Sequence, residues 1–317
     1  MRRRCGSAPS AWASADCGMK SKKLKKAGRR RWIQIGFSVF SNGYLSGFAK
    51  GRIFTGPTKI LCSPGLNCYS CPGALLSCPV GALQATLTSR QYRVALYAFG
   101  MITLFGAFLG RAVCGFLCPF GLLQDLLHRI PFFKKLKKLP GESVLRYIRY
   151  LVLAVMVIIL PADVSDAFGT GDPWFCKYVC PAGTLEAGIP LVIADSGLRA
   201  SVGTLFFVKL GILVLCTFAS IMIFRPFCRY LCPLGALYGL FNRFALYRYR
   251  FDEEKCTNCG ACEKACELSI PVRRRLNSVD CIRCGDCIGA CPTGAIGTVI
   301  PFPRKKAEQA KEGEKTS

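Results

Sequence analysis

Four apolar segments, separated by polar and charged stretches, dominate the first four-fifths of the chain. They cover residues 32–48, 92–112, 146–164 and 202–224. A helix needs about 20 predominantly apolar residues to cross the hydrocarbon core of a bilayer, so each segment is a candidate membrane span. The third requires Arg149 to extend its charged end toward the membrane surface. The pattern therefore predicts an all-α bundle of four transmembrane helices.

The first segment is the most polar of the four, because it is interrupted by Gln34, Ser38, Ser41 and Asn42. If it crosses the membrane, these side chains should face the other helices or a bound ligand, since polar groups are costly in contact with lipid. The alternative is an amphipathic helix on the membrane surface.

Lysine and arginine are distributed unevenly between the segments. Eleven occur in residues 1–31, eight in 111–149 and sixteen in 225–317, against four in 50–91 and two in 165–201. Cytoplasmic loops carry the excess of these residues. Both termini and the middle loop are therefore predicted to lie in the cytoplasm, and the two stretches with few lysines and arginines are predicted to lie outside. The protein is predicted to be a multi-pass protein of the cytoplasmic membrane.

Composition agrees with a membrane protein. Of the 317 residues, 51% are hydrophobic and 19% are charged, below the roughly 25% charge of soluble domains. The net charge of +25 is accounted for by the membrane flanks, so no nucleic-acid partner is predicted. His128 is the only histidine, which excludes bis-histidine haem and histidine-rich zinc sites, whereas the chain has 21 cysteines.

The chain contains an internal repeat. Residues 111–129 and 225–243 share nine of nineteen positions at a constant offset of 114, and each copy follows a candidate span. Residues 78–85 and 180–187 share five of eight positions, and both lie in predicted outer loops. The membrane domain therefore comprises two pseudo-repeats, over about 32–130 and 146–244. Repeats in membrane proteins commonly form a shared site at their interface.

The sequence Cys-Pro-x-Gly occurs five times, beginning at residues 78, 118, 180, 232 and 291. Proline is favoured in the first turn of a helix, which places each cysteine at a predicted helix N-terminus. The free N–H groups there favour negative charge, such as a thiolate bound to an iron–sulfur cluster. Ordinary turn chemistry is the alternative explanation.

Residues 256–291 contain two runs with the spacing Cys-x2-Cys-x2-Cys-x3-Cys. Bacterial two-cluster ferredoxins have this run, and the fourth cysteine of each run ligates the other cluster. Zinc is the alternative, although zinc sites rarely use this spacing twice. Glu267 stands where the first run usually has proline. The predicted [4Fe–4S] ligands are Cys256, Cys259, Cys262 and Cys291 for one cluster, and Cys281, Cys284, Cys287 and Cys266 for the other.

The repeated inner motifs supply two Cys-x3-Cys pairs at the cytoplasmic ends of spans, Cys114 with Cys118 and Cys228 with Cys232. If the repeats bring the pairs together, they provide four thiolates, which is a full cluster complement. The alternatives are inert buried thiols or a disulfide, which a reducing cytosol disfavours.

Six further cysteines lie in the predicted outer loops. An iron–sulfur cluster and disulfides are both compatible with this location. For a cluster, Cys68, Cys71, Cys176 and Cys180 are the first choice and Cys78 is a close rival, because its Cys-Pro-Val-Gly sequence matches that at Cys180. Cys62 completes the group, and Cys216 lies within a span and is interpreted as a packing residue.

These features predict four regions. A basic, disordered cytoplasmic tail (1–31) precedes the membrane domain (32–249), in which the apolar, Gly/Pro-broken stretches 71–85 and 180–194 are predicted to be re-entrant. An α+β, ferredoxin-like domain with two clusters (250–300) and a disordered tail (301–317) follow. Met19 is an alternative start, in which case Cys5 and Cys17 have no function.

Two membrane Cys-x3-Cys-Pro motifs, in RAVCGFLCPFG and RPFCRYLCPLG, followed by the double four-cysteine run resemble the NapH/MauN/NosR-type membrane ferredoxins. The resemblance covers about residues 32–300. It implies four spans, a cytoplasmic ferredoxin domain and electron transfer between a quinol pool and redox partner proteins.

The sequence favours an electron relay over a stand-alone enzyme, because it contains no nucleophile–histidine pairing, phosphate loop or set of general acids. Electrons are expected to pass between cytoplasmic partners, two [4Fe–4S] clusters and one or two further clusters, and then to quinone or across the membrane. The alternatives are a membrane reductase or quinol dehydrogenase subunit acting directly on a metal ion or quinone, and an iron–sulfur redox sensor.

Overall fold

The structure is a computed structural model that describes residues 28–88, 92–131, 135–164 and 171–299. Most of the predicted N-terminal tail and all of the predicted C-terminal tail lie outside these residues. Residues 28–31, which the sequence analysis assigns to the N-terminal tail, are helical.

The described residues fold mainly into helices. The helices comprise 28–41, Ser46–Lys50, Pro79–Thr88, Tyr92–Leu109, Ala112–Phe116, Pro119–Leu127, Glu142–Asp163, Phe175–Val179, Pro181–Ala194, Ser196–Ala200, Thr204–Met222, Pro226–Tyr230, Pro233–Phe241, Ala261–Lys264 and Asp286–Ala290. A 3₁₀ turn spans Pro57–Ile60, and Glu142–Asp163 contains a π-helical stretch over Leu153–Ile159.

Among the described residues, two helices are long and apolar enough to cross a membrane, Glu142–Asp163 and Thr204–Met222. Their apolar side chains point outward: Leu151 is 64% exposed and Leu215 is 68% exposed. The core helix of a soluble protein would instead bury such side chains. The outward apolar faces of both helices therefore suit a lipid environment.

The other two predicted spans form shorter apolar helices. The apolar part of the second is Leu96–Leu109, and the first is helical only over residues 28–41 before a turn and a second short helix. In the first helix Gln34 and Ser41 are buried whereas Phe40 is 66% exposed. Its polar side chains thus face the protein, as the sequence analysis expects of a span.

A two-stranded antiparallel sheet closes the C-terminal region. Strands Arg248–Phe251 and Ile296–Val299 pair so that Arg248 lies opposite Val299 and Phe251 lies opposite Ile296. The sheet holds the two ends of the region together, while the eight cysteines lie in the intervening loops and short helices.

The C-terminal region packs against the inner repeat motifs. The Gly115 backbone, between Cys114 and Cys118, approaches Ile282 so closely that a Cβ atom on Gly115 would lie 2.5 Å from the Ile282 carbonyl oxygen. The Asn242 side chain donates hydrogen bonds to the carbonyls of Ser278 (2.7 Å) and Cys281 (2.8 Å). Cys281 is therefore held directly beside the inner motifs.

Ion pairs reinforce this packing. Asp280, which precedes the second cysteine run, lies 2.6 Å from Arg146 and 2.7 Å from Arg149 of the Glu142–Asp163 helix. Arg283 donates to the carbonyls of Leu109 (2.9 Å) and Asn242 (2.6 Å). The charge of Asp280 is thus neutralised across the contact, and Arg283 adds hydrogen bonds to neutral carbonyls.

We expect Gly115→Ala to lower stability by about 1–3 kcal/mol, because the added methyl group forces two backbones apart. Thermal unfolding of the detergent-purified chain measures the effect. Gly100→Ala is the matched control, since no atom lies within 4 Å of its Cβ position. Equal stability of the two variants would contradict the close packing at Gly115.

Candidate iron–sulfur centres

Four cysteines of the C-terminal region surround one small cavity. Its wall contains three cysteines of the first run, Cys256, Cys259 and Cys262, together with Cys291 from the end of the second run. The last cysteine of the second run thus lies with three cysteines of the first run, as the predicted ligand set requires. Arg273 also lines the cavity and contributes positive charge.

The second C-terminal group lies next to the inner motifs. Cys266, from the first run, lies within electrostatic range of Cys281 and Cys287 from the second, and Cys284 lies within range of Cys281. Cys266, Cys281 and Cys284 also pack against the main core, which contains the inner cysteines. The ligands predicted for the second cluster therefore lie between the first C-terminal group and the inner cysteines.

The two repeats bring their inner cysteines together. The four inner cysteines are each no more than 5% exposed: Cys114, Cys118, Cys228 and Cys232. Each of their thiols interacts electrostatically with the other three. Burial, followed by the charges of the neighbouring thiols, raises the pKa of both Cys118 and Cys232 above the ordinary value. Thiolates at this site therefore need a cationic centre to bind them.

Four of the five Cys-Pro-x-Gly motifs place their cysteine directly before a helix, at Cys78, Cys118, Cys180 and Cys232. The thiols of Cys118, Cys180 and Cys232 accept hydrogen bonds from the N–H groups of the glycines three residues later, at 3.3, 3.4 and 3.3 Å. The prediction is wrong for Cys291, which is followed by a turn and a strand. There Pro292 begins the turn that leads into the strand Ile296–Val299.

Two buried arginines link the repeats reciprocally. Arg111 donates to the Cys228 carbonyl at 2.9 Å, and Arg225 donates to the Cys114 carbonyl. These arginines occupy equivalent positions in the two repeats, three residues before the first cysteine. Each repeat therefore positions the cysteine loop of the other and places positive charge beside it.

Asp125 fixes Arg225 in place. Its carboxylate oxygens lie 2.6 Å from Nε and 2.6 Å from Nη2 of Arg225, and Arg30 lies 2.9 Å away. Burial disfavours the charged carboxylate, but the guanidinium of Arg225 outweighs this and holds the pKa of Asp125 below its usual value. Asp125 is thus ionised and orients Arg225 toward Cys114.

A polar residue occurs six positions after four of the Cys-Pro cysteines: Gln84, Gln124, Glu186 and Tyr238. Each contacts a cysteine-bearing segment: Gln84 Nε2 lies 3.4 Å from Cys176 Sγ, Gln124 Nε2 lies 3.2 Å from Cys228 Sγ, Glu186 accepts the Cys68 N–H at 2.7 Å, and Tyr238 donates to Pro64 O at 2.8 Å. These four residues and both arginines are not among the site residues predicted from the sequence. Their recurrence at fixed positions in the repeats was the available signal.

The outer cysteines separate into two sets. Cys68, Cys78, Cys176 and Cys180 line one cavity of about 630 Å³, whereas Cys62 and Cys71 lie outside it. The structure therefore places Cys78, rather than Cys71, with the other three.

The inner and outer groups lie close together. A Cβ atom on Gly65 would lie 2.8 Å from the Cys118 Cα, and Tyr238 of the second repeat donates to the neighbouring Pro64 carbonyl. The predicted outer loop thus reaches the inner motif, and its residues Ser63, Leu66 and Asn67 are buried.

The donor sets fit clusters better than single ions. In the described part of the chain, no three His, Cys, Asp or Glu side chains are close enough to hold one metal ion. A tetrahedral zinc ion would require sulfurs about 3.8 Å apart, whereas a cube-shaped cluster holds its four thiolates further from one another. Four cysteine thiols gathered from two segments of the chain are the donor set that holds a [4Fe–4S] cluster.

Two residues outside these groups have structural contacts. His128 Nδ1 lies 3.3 Å from the Ser220 carbonyl, and its ring packs edge-on against Phe224. Cys216 lies in the Thr204–Met222 helix and packs against the core.

Comparisons with known proteins agree with this chemistry. A family model described as a 4Fe-4S binding domain matches residues 94–140, 149–189 and 204–250. A second model with the same description matches 249–267 and 276–297. No solved structure matches the chain.

The methylamine utilization ferredoxin-type protein MauN of Methylorubrum extorquens is 32% identical over 258 residues, 78% of each chain. The chain belongs to this family of ferredoxin-type proteins. The ferredoxin-type protein NapH of Haemophilus influenzae is 28% identical over 61% of each chain. An uncharacterised protein of Methanocaldococcus jannaschii is 31% identical over 194 residues, which are 59% of this chain and 63% of that protein's length.

Replacing Asp125 with asparagine is expected to cost about 3–5 kcal/mol, because Arg225 would remain buried without its counter-charge. Chemical unfolding of the detergent-purified protein measures the loss. Glu254→Gln changes an exposed acid and should stay within about 0.5 kcal/mol of the parent chain. A similarly small effect at Asp125 would show that the buried pair is not required.

Proposed function

We propose that this ferredoxin-type protein is a multi-pass protein of the cytoplasmic membrane that relays electrons through iron–sulfur clusters. The C-terminal cysteines bind two [4Fe–4S] clusters and the four inner cysteines bind a third at the membrane boundary. Soluble redox proteins exchange electrons with the C-terminal region, and quinone is the proposed partner in the membrane. Clusters bound at these thiolates supply one-electron transfer.

The observation that carries this proposal is the contact between the second cysteine run and the inner motif. Ile282 packs against Gly115, and Asn242 binds the Cys281 carbonyl. Arg111 extends the contact, because it bonds to both the Val279 and the Cys228 carbonyls. A fixed, close placement of two cysteine groups is what electron transfer between them requires.

Other features support the membrane part of the proposal. The helices Glu142–Asp163 and Thr204–Met222 expose apolar faces, and the first helix turns its polar residues inward. The excess of lysine and arginine in the middle loop and at both ends favours cytoplasmic termini. We propose four membrane spans, which comprise these two long helices and the two shorter apolar helices.

Replacing Cys228 and Cys232 together with serine is expected to remove about four irons per chain and leave the roughly eight irons of the C-terminal pair. Iron and sulfide analysis with EPR of anaerobically purified, full-length protein measures this. Cys216→Ala is the control, because Cys216 lies on a membrane helix outside the predicted ligand sets. Unchanged iron content in the double variant would refute the inner cluster.

Electron transfer itself is tested by stopped-flow spectroscopy. The dithionite-reduced chain is mixed with the water-soluble quinone menadione, and oxidation of the clusters is followed by their visible absorbance. We expect oxidation by quinone in the parent chain and slower oxidation in the Cys228/Cys232 variant. Sustained turnover of cupric ion by the purified chain, with no oxidation by quinone, would favour a metal reductase instead.

A further inference from the structure

We propose that Cys68, Cys78, Cys176 and Cys180 bind an additional [4Fe–4S] cluster on the outer side of the molecule. This goes beyond the proposed function, which requires only the C-terminal and inner cysteines. The ligand set pairs two cysteines of the 62–78 segment with the Cys-x3-Cys pair at 176–180.

The four thiols line one cavity. Its volume is about 630 Å³, and its wall also contains Gly81, Gly183 and Lys209. Every pair among the four lies within electrostatic range. Four thiols that line one cavity are what a cube-shaped cluster requires.

Two glycines border the cavity next to the thiols. A Cβ atom on Gly81, in the helix after Cys78, would lie 3.9 Å from the Cys176 thiol sulfur. A Cβ atom on Gly183, in the helix after Cys180, would lie 3.7 Å from the Cys68 thiol sulfur. Each Cys-Pro-x-Gly motif thus leaves space beside a cysteine of the opposite segment.

The site also supplies the groups that stabilise bound thiolates. The Gly183 N–H donates to Cys180, and Gln84 Nε2 lies 3.4 Å from Cys176 Sγ. Lys209 brings a positive charge to the wall and donates to the Cys176 carbonyl at 3.2 Å. Hydrogen bonds and charge of this kind set the stability and potential of iron–sulfur centres.

The inner site repeats the same design. Gln124 contacts Cys228 as Gln84 contacts Cys176, and both glutamines stand six residues after a Cys-Pro cysteine. The Gly121 N–H donates to Cys118 as the Gly183 N–H donates to Cys180. Both sites combine four thiols with a glutamine side chain and a glycine N–H donor, so they are expected to bind the same kind of group.

Cys71 and Cys62 provide the matched comparison. The Cys71 thiol donates to Asn42 Oδ1 at 3.7 Å, and its strongest charged neighbours are Glu186 and Lys59. Cys62 lies on the bridge that pairs it with Ser77, outside the cavity. Both share the outer loop with the proposed ligands but not their common space.

The test compares two double variants of the full-length chain, purified anaerobically in detergent. The parent chain should contain about 16 irons, and the Cys176→Ser/Cys180→Ser variant about four fewer. The Cys62→Ser/Cys71→Ser variant should keep the parent content. Parent-level iron in the first variant, or an equal loss in the second, overturns the proposal.

A measurement on the parent chain tests the proposal without depending on the folding of the variants. After denaturation without reductant and removal of iron by a chelator, mass spectrometry should find all four cysteines alkylated as free thiols. A disulfide among them overturns the proposal. The Cys228/Cys232 variant separates the two proposals: if it loses four irons while the outer variant loses none, only the outer cluster fails.

Discussion

The reciprocal bonds of Arg111 and Arg225 are the interaction on which the arrangement of cysteines depends. Each guanidinium lies deep in the protein, and each holds the backbone carbonyl of a cysteine in the other repeat. A buried charge is tolerated only when it is paired and hydrogen-bonded, so Asp125 and Asp280 are part of the same construction. The two halves are joined at the inner cysteines by charge as well as by apolar packing.

The same network connects the two repeats to the C-terminal region. Asp280 lies 3.7 Å from Arg111 and also pairs with Arg146 and Arg149. The groups that hold the inner cysteines in place thus also hold the second cysteine run against them. Because Asp280 directly precedes Cys281, movement of the C-terminal region relative to the inner motif would break several buried ion pairs at once.

Much of this organisation was predictable because it follows from patterns over short stretches of the sequence. The cysteine runs, the repeat and the apolar segments are short-range features, and four of the five Cys-Pro-x-Gly motifs place their cysteine at a helix N-terminus as predicted. The choice between Cys71 and Cys78 was not predictable, because it depends on how the 62–78 segment folds back on itself. Arg111 and Arg225 occupy equivalent positions in the two repeats, but each contacts the other repeat. The spacing of residues along the chain does not predict such contacts.

The 62–78 segment also shortens the distance between the inner and the outer cysteines. Sequence topology assigns the inner and outer cysteines to opposite faces of a hydrocarbon layer roughly 30 Å deep. The Gly65 backbone nevertheless lies against Cys118, and Cys68 follows three residues later, at most about 10 Å along the chain. Gly65 makes this possible, since a Cβ atom there would lie 2.8 Å from the Cys118 Cα. The insulating gap between the two groups is therefore a few buried residues of polypeptide, and a side chain at position 65 would widen it.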